Sequence, residues 1–278
     1  MEQKDKDIFE QTTKFNTGIK LYMFQTGTIK TKIKFIKMNQ GEEPFEIPVP
    51  WFLIKHPKGD IIIDGGMPIE TAIDKHKHWG SVIEAYDPVM KKSEWCRDQI
   101  KTVNTNPEDI KYVIQTHLHL DHSGAIGHFP NATHITQRLE YDYAFNPDWF
   151  SQPAYIRDDF DKPNIRWKFL QGRKTDFYDV HGDGVIKIIF TPGHTPGHQS
   201  VLVNLPKTGH MLFTGDACYT EDHWCDKCLP GLVASSSDAA ESVSKLRKVA
   251  KEHDATVVWG HDPISWKIWK KAPMFYYD

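Results

Sequence analysis

The sequence predicts a layered α/β fold, and three observations carry the prediction. Short β-branched runs recur along the chain, segments of helical spacing lie between them, and the strands fall into two groups with helices interspersed. That order fits stacked layers of sheet and helix rather than a barrel or a bundle.

The expected strands are residues 51–54, 60–63, 112–115, 185–190, 200–203, 210–213 and 255–259. Each is a short apolar run of the kind that becomes a buried strand. The clearest helix is 238–251, where Val243, Leu246, Val249 and Ala250 recur on one face. Asp238 followed three residues later by Glu241 reads as a capping box that starts it. Further helices are expected after Arg138 and over 93–102. Residues 67–100 carry His76, His78, Trp79, Tyr86, Met90 and Trp95 among charges, and read as a largely helical excursion over the sheet. Residues 1–17 read as a polar arm and 18–278 as a single catalytic domain, with no repeat and no long Gly/Ser/Pro linker.

Composition removes several function classes. The formal charge of the 278 residues is −3, so there is no electrostatic footprint for a nucleic-acid backbone or an anionic membrane. Mean hydropathy is −0.53, and no apolar run approaches the roughly 18 residues of a spanning helix. The start lacks the apolar core of a secretory signal, and four cysteines cannot build a disulfide scaffold, so a cytoplasmic protein is expected. Histidine, at 15 residues, is the compositional excess, and five of these lie close together: His117, His119, His122, His128 and His134.

The segment Thr116-His117-Leu118-His119-Leu120-Asp121-His122-Ser123-Gly124 follows an expected strand. In extended chain His117, His119 and Asp121 project to one side and His122 to the other, which offers two neighbouring metals two donors each. A divalent ion such as zinc takes about four ligands, so others must arrive from elsewhere. Three distant segments repeat one design, an apolar strand running into glycine and then a donor: Gly193-His194, Gly215-Asp216 and Gly260-His261. The plain alternative is a set of unrelated turns with satisfied polar residues, and the number of donors argues against it. His128 and His134 fall outside the spacing.

On these residues the chain resembles the metallo-β-lactamase superfamily, which implies a four-layer αβ/βα sandwich with two metals at the edge of facing sheets. The resemblance implies His117, His119 and His194 on the first metal, Asp121, His122 and His261 on the second, and Asp216 bridging both. It also implies that Asp64, in Ile63-Asp64-Gly65-Gly66, supports the ligands from behind, a role that carboxylates have toward histidine ligands on general grounds. His198 is then structural. Two divalent ions are expected, with zinc as the expected metal, although such donors also suit Co, Mn or Fe.

Within the superfamily the chain is most similar to the N-acyl-homoserine lactonases, through the segment from Thr191 to Ser200, Asp216-Ala217 with Tyr219, and Gly260-His261-Asp262. It departs from them at Gly65, where these enzymes commonly carry Thr. The resemblance implies quorum quenching: attack of a metal-bridging hydroxide on the lactone carbonyl, with Tyr219 stabilising the oxyanion and Asp121 shuttling a proton, to give an N-acyl-homoserine. Tyr219 has a core-aromatic alternative, and Asp121 that of a ligand only. The substrate's apolar tail calls for an apolar groove, with Met23, Phe24, Met67, Trp79, Tyr86, Phe145, Trp149 and Phe150 as candidate walls. Cys225 and Cys228 form a lone CxxC and read as incidental thiols. The competing readings are a glyoxalase II-like thioesterase, a phosphodiesterase, or a metal-binding sensor without catalysis. A small-molecule acyl lactone is the expected partner, with neither nucleic acid nor membrane.

Overall fold

A computed structural model of the protein describes residues 18–278; the expected polar arm at 1–17 lies outside the described residues. Two sheets face each other. The first has seven strands, β1 (Lys20–Lys32), β2 (Pro44–Lys55), β3 (Asp60–Ile63), β4 (Asp87–Val89), β5 (Ile110–Ile114), β6 (Thr133–Gln137) and β7 (Arg166–Leu170), in the order β4-β1-β2-β3-β5-β6-β7. The second has five, β8 (Phe177–Asp179), β9 (Ile186–Phe190), β10 (Gln199–Leu205), β11 (Gly209–Phe213) and β12 (Thr256–Val258), in the order β12-β11-β10-β9-β8.

Strand periodicity explains the stacking. Alternate residues of β1 to β3, namely Leu21, Met23, Phe52, Ile54, Ile61 and Ile63, pack against Ile186, Ile188, Val201, Val203 and Phe213 of the second sheet. The intervening residues Tyr22, Phe24, Trp51, Leu53 and Ile62 turn outward onto Ile100, Val103 and Phe129. On the far side Ile189, Leu202 and Leu212 meet Leu246, Val249 and Ala250 of the helix Ser236–Glu252. Both faces of each sheet are thus covered, which gives the four-layer αβ/βα sandwich. Each fully buried Ile or Leu contributes roughly 1.5–3 kcal/mol through this burial.

Several elements differ from the sequence expectation. The long helix begins earlier, because the Ser235 hydroxyl takes the Asp238 N–H (3.3 Å); Asp238 lies inside the first turn, where its charge complements the helix dipole. The helix expected at 93–102 is broken into Cys96–Gln99 and a tight turn Ile100–Val103. Trp95 is extended (ψ 137°), with its indole N–H donated to the Gly124 carbonyl. The excursion at 67–100 contains the helix Ile69–Trp79, interrupted at Asp74, and also the edge strand β4, which pairs with Thr28 to Lys30. Strands β1, β6, β7 and β8 were not expected at all.

Strand direction positions the site. β9 and β11 are each antiparallel to β10, and β12 is parallel to β11, so β9, β11 and β12 point the same way. In the other sheet β3 and β5 run parallel. The loops that follow β3, β5, β9, β11 and β12 carry Asp64, the His117 to His122 run, His194, Asp216 and His261.

Candidate metal centre

Beyond β5 the chain leaves the extended conformation, and the His122 N–H donates to the His119 carbonyl (3.0 Å). This turn replaces the expected alternation of sides and swings His122 back toward the other donors. Asp216 lies between two groups. Its Oδ2 is 3.6 Å from His117 Nε2 and 3.3 Å from His194 Nε2. Its Oδ1 is 3.4 Å from His122 Nε2 and 3.2 Å from His261 Nε2. His119 Nδ1 approaches His194 Nε2 to 2.9 Å, and Asp121 stands 3.6 Å from His261 and 3.8 Å from His122. One carboxylate therefore separates a three-histidine group from a group of Asp121, His122 and His261.

The outer nitrogens fix the tautomers. His261 Nδ1 lies 2.8 Å from the Pro48 carbonyl and His194 Nδ1 2.9 Å from the Leu232 carbonyl. A carbonyl only accepts, so both rings carry the proton on Nδ1 and turn an Nε2 lone pair inward. His122 Nδ1 donates to Asp64 Oδ2 (2.8 Å), which likewise frees its Nε2. Asp64 also accepts from Thr116 N–H (2.7 Å) and the Thr116 hydroxyl (2.9 Å), tying the β3 loop to the start of the histidine run. His198 is different: its Nε2 accepts from the Asp216 N–H (3.0 Å), so that lone pair is already used.

These donors fit a divalent cation. His117 Nε2, His122 Nε2 and Asp216 Oδ1 are buried without any hydrogen-bond partner, a costly state for polar atoms unless something else satisfies them. Burial, with the neighbouring His122 and His119 rings, drives the His117 pKa far down and leaves it neutral. Burial, with His194, does the same for His119. Burial acts to raise Asp216, but His122, His261 and His117 outweigh it and hold the carboxyl well below its usual range. The neutral His117 and His119 with the ionised Asp216 suit Zn, Mn, Fe or Co; at His122 and His261 burial is outweighed by Asp216 and Asp121, which raise their pKa, so a cation held there takes the place of a proton.

Above the donors opens a cavity of about 390 Å³. His119, Asp121, Asp216 and His261 lie at its floor; Ile29, Phe35, Ile36, Ile47 and Val82 are among the apolar walls. Tyr219, 5% exposed, also lines it, with its hydroxyl 3.2 Å from His194 Nδ1. Because that nitrogen is a donor, Tyr219 can only accept there, and its own proton is left for the cavity.

Among the wall residues expected from sequence, Tyr86 and Phe150 line the cavity. Met23 and Phe24 do not, being inward and outward residues of β1 in separate cores. Met67 and Trp79 pack behind it in a buried cluster with Tyr219. Phe145 packs with Phe160 and Tyr155 in another core, and Trp149 is 84% exposed. The walls from the chain between β1 and β2 and from the tight turn Gly80–Glu84 were missed, because Ile and Val there look like any core residue. Gly65 has a positive φ (106°), and a Cβ on it would lie 2.5 Å from the Ala125 methyl, which accounts for glycine rather than threonine there. Cys225 is exposed, Cys228 is half-buried, and both are free thiols.

Glu140 and Tyr155 were not anticipated. Glu140 is fully buried; the available signal was its spacing of four from Ala144, which sets a carboxylate on the inward face of the helix Arg138–Phe145.

The metallo-β-lactamase superfamily model matches residues 45–261. The chain is 59% identical over 261 residues to the N-acyl homoserine lactonase AttM of Rhizobium radiobacter, covering 94% of this chain and 99% of that protein. It is 33% identical over 221 residues to an N-acyl homoserine lactonase of a Bacillus species, covering 79% and 83%. Among solved structures it superimposes on an N-acyl homoserine lactone hydrolase with the product N-hexanoyl-L-homoserine bound at the catalytic metal centre. The TM-score is 0.82 at 28% identity, over 92% of this chain and 98% of that one.

Proposed function

The chain belongs to the metallo-β-lactamase superfamily, and from that premise we propose that it is a dinuclear-metal hydrolase that opens the lactone ring of N-acyl-homoserine lactones to N-acyl-homoserines. The observation that carries the reading is a floor of converging His and Asp donors beneath an apolar cavity. A polar lactone ring on an apolar acyl tail has that same division. The 59% identity to a lactonase over 94% of the chain supports it.

Use of divalent metal follows from the fold and the His/Asp clusters. We assign His117, His119 and His194 to one ion, Asp121, His122 and His261 to the other, Asp216 to both, and zinc as the metal. When bound, such ions supply an ionised water near neutral pH and polarise the ester carbonyl.

The chain's own groups do the rest. Tyr219 donates a hydrogen bond from its hydroxyl to the carbonyl oxygen as charge develops there; burial first, then Asp216, keeps that hydroxyl protonated. Asp121, whose side chain is 12% exposed against 4% for Asp216, faces the cavity and serves as the proton carrier to the departing alkoxide. Ile36, Ile47, Val82 and Tyr86 hold the acyl chain and exclude water. Asp64 orients His122. Residues 18–278 act as one catalytic unit, and four free thiols suit a reducing compartment such as the cytoplasm.

Parallel assays of the metal-loaded protein on N-hexanoyl-homoserine lactone, a glutathione thioester and a nitrophenyl phosphodiester test the reading. Turnover of the lactone far above the others is the expected outcome. An untouched lactone beside turnover of either other ester overturns it.

A further inference from the structure

We infer that Glu140 is the positioning residue for the three-histidine half of the centre, an inference that rests on the assignment of His117, His119 and His194 to one metal ion. Glu140 is 0% exposed, yet its partners are neutral donors rather than a cation. Oε1 accepts from the Leu118 N–H (2.9 Å) and the Tyr155 hydroxyl (3.1 Å), and Oε2 from the Thr195 hydroxyl (2.5 Å). All three groups donate, which is what an ionised carboxylate requires.

The identity of those donors matters more than their number. Leu118 is the residue between His117 and His119, and Thr195 follows His194. Tyr155 sets its ring against that of His119, at 4.6 Å between centroids and 69° between planes. A single carboxylate thus clamps the chain beside all three histidines, which come from two distant loops. The approach is close: a Cβ on Gly197, three residues beyond His194, would lie 2.1 Å from the Glu140 backbone nitrogen.

The other group has its own supports, Asp64 on His122 and the Pro48 carbonyl on His261, and Glu140 hydrogen-bonds to none of them. Glu140 therefore braces the three-histidine half alone, whereas Asp64 touches both halves, His122 directly and His117 through the Thr116 hydroxyl, which lies 3.0 Å from His117 Nδ1. Partners of metal ligands set ligand orientation and typically govern metal affinity by roughly 10–100-fold. In Glu140→Gln the amide must turn its NH2 either toward the Leu118 N–H, donor against donor, or toward Thr195. The first breaks the clamp on His117 and His119, and the second loosens the His194 loop.

Zinc removal by a competing chelator tests this on the full chain, with His119→Ala and His261→Ala identifying which dissociation step belongs to which half. Glu140→Gln should weaken the step that His119→Ala abolishes by roughly 10–100-fold and leave the His261 step close to wild type. Tyr155→Phe, which keeps the ring and removes one hydrogen bond, should move the same step less. A residue that merely holds the fold together would lower the melting temperature of the metal-free protein and shift both steps alike or neither, and that result overturns the inference. A wild type that binds fewer than two ions instead removes the dinuclear assignment itself, so the two failures are distinguishable.

Discussion

Asp64→Asn tests the direct support of His122. The carboxylate accepts at both oxygens: Oδ1 from the Thr116 N–H, and Oδ2 from the Thr116 hydroxyl and His122 Nδ1. In the asparagine variant the amide oxygen retains the 2.7 Å bond to the backbone, so the turn after β3 is kept. The NH2 then occupies the Oδ2 position, 2.8 Å from His122 Nδ1. Donor meets donor there unless the imidazole moves its proton to Nε2, which removes the lone pair directed toward Asp216. A hydrogen bond to a charged group contributes about 1.5–3 kcal/mol, which converts to roughly 10–150-fold in binding of the ion held by Asp121, His122 and His261. Chelator competition reads the affinity, and reactivation by added zinc reads the consequence: full activity should return only at elevated metal. Two tightly held ions with unchanged zinc dependence would refute the assigned role of Asp64.

Tyr219→Phe should keep both metals and lower kcat by about 10- to 100-fold, somewhat less than loss of a sole oxyanion donor; equal loss of metal would make the tyrosine architectural. Val82→Trp, set in the apolar wall, should raise KM for decanoyl substrate far more than for butanoyl substrate, since each methylene kept in water forfeits about 0.8 kcal/mol. Steady-state kinetics across chain lengths checks it. Burial first, opposed by nearby backbone groups, holds His134 at about 4. Its neutral folded form is favoured above the unfolded value near 6.5, and that stability, roughly 3 kcal/mol, is lost as pH falls toward 4. His134→Gln should flatten the melting curve's pH dependence over that window.

The donors were legible because they are chemically rare and punctuated. The His117 to His122 run is contiguous, and the three later donors each follow glycine at the end of an apolar strand. The four layers were legible in outline from runs such as 60–63, which needs no partner strand to read as buried. Strand β1 was not, because its burial on both faces removes alternation and Gly27 interrupts it at a bulge. β7, with Arg166 and Lys168, reads as polar surface, although it is an edge strand paired to β6. Glu140 was hidden by the same rule inverted: neighbouring Leu139 is 50% exposed, while the carboxylate takes the buried position. Hydropathy cannot foresee that exchange, since it depends on donors from residues 118, 155 and 195. The acyl wall failed for a related reason, as Met23 and Phe24 differ from Ile29 and Ile36 in surroundings rather than in chemistry.

Two ions, held together through Asp216, are proposed to open the lactone ring. Titrating the metal-free protein with zinc while following N-hexanoyl-homoserine lactone by chromatography tests this most directly. Ring-opened N-hexanoyl-homoserine should appear with a rate that climbs to a plateau at two equivalents per chain, and Asp216→Ala should stay inactive throughout. A plateau at one equivalent, or no ring-opened product at any loading, would rule out dinuclear lactone hydrolysis by this chain.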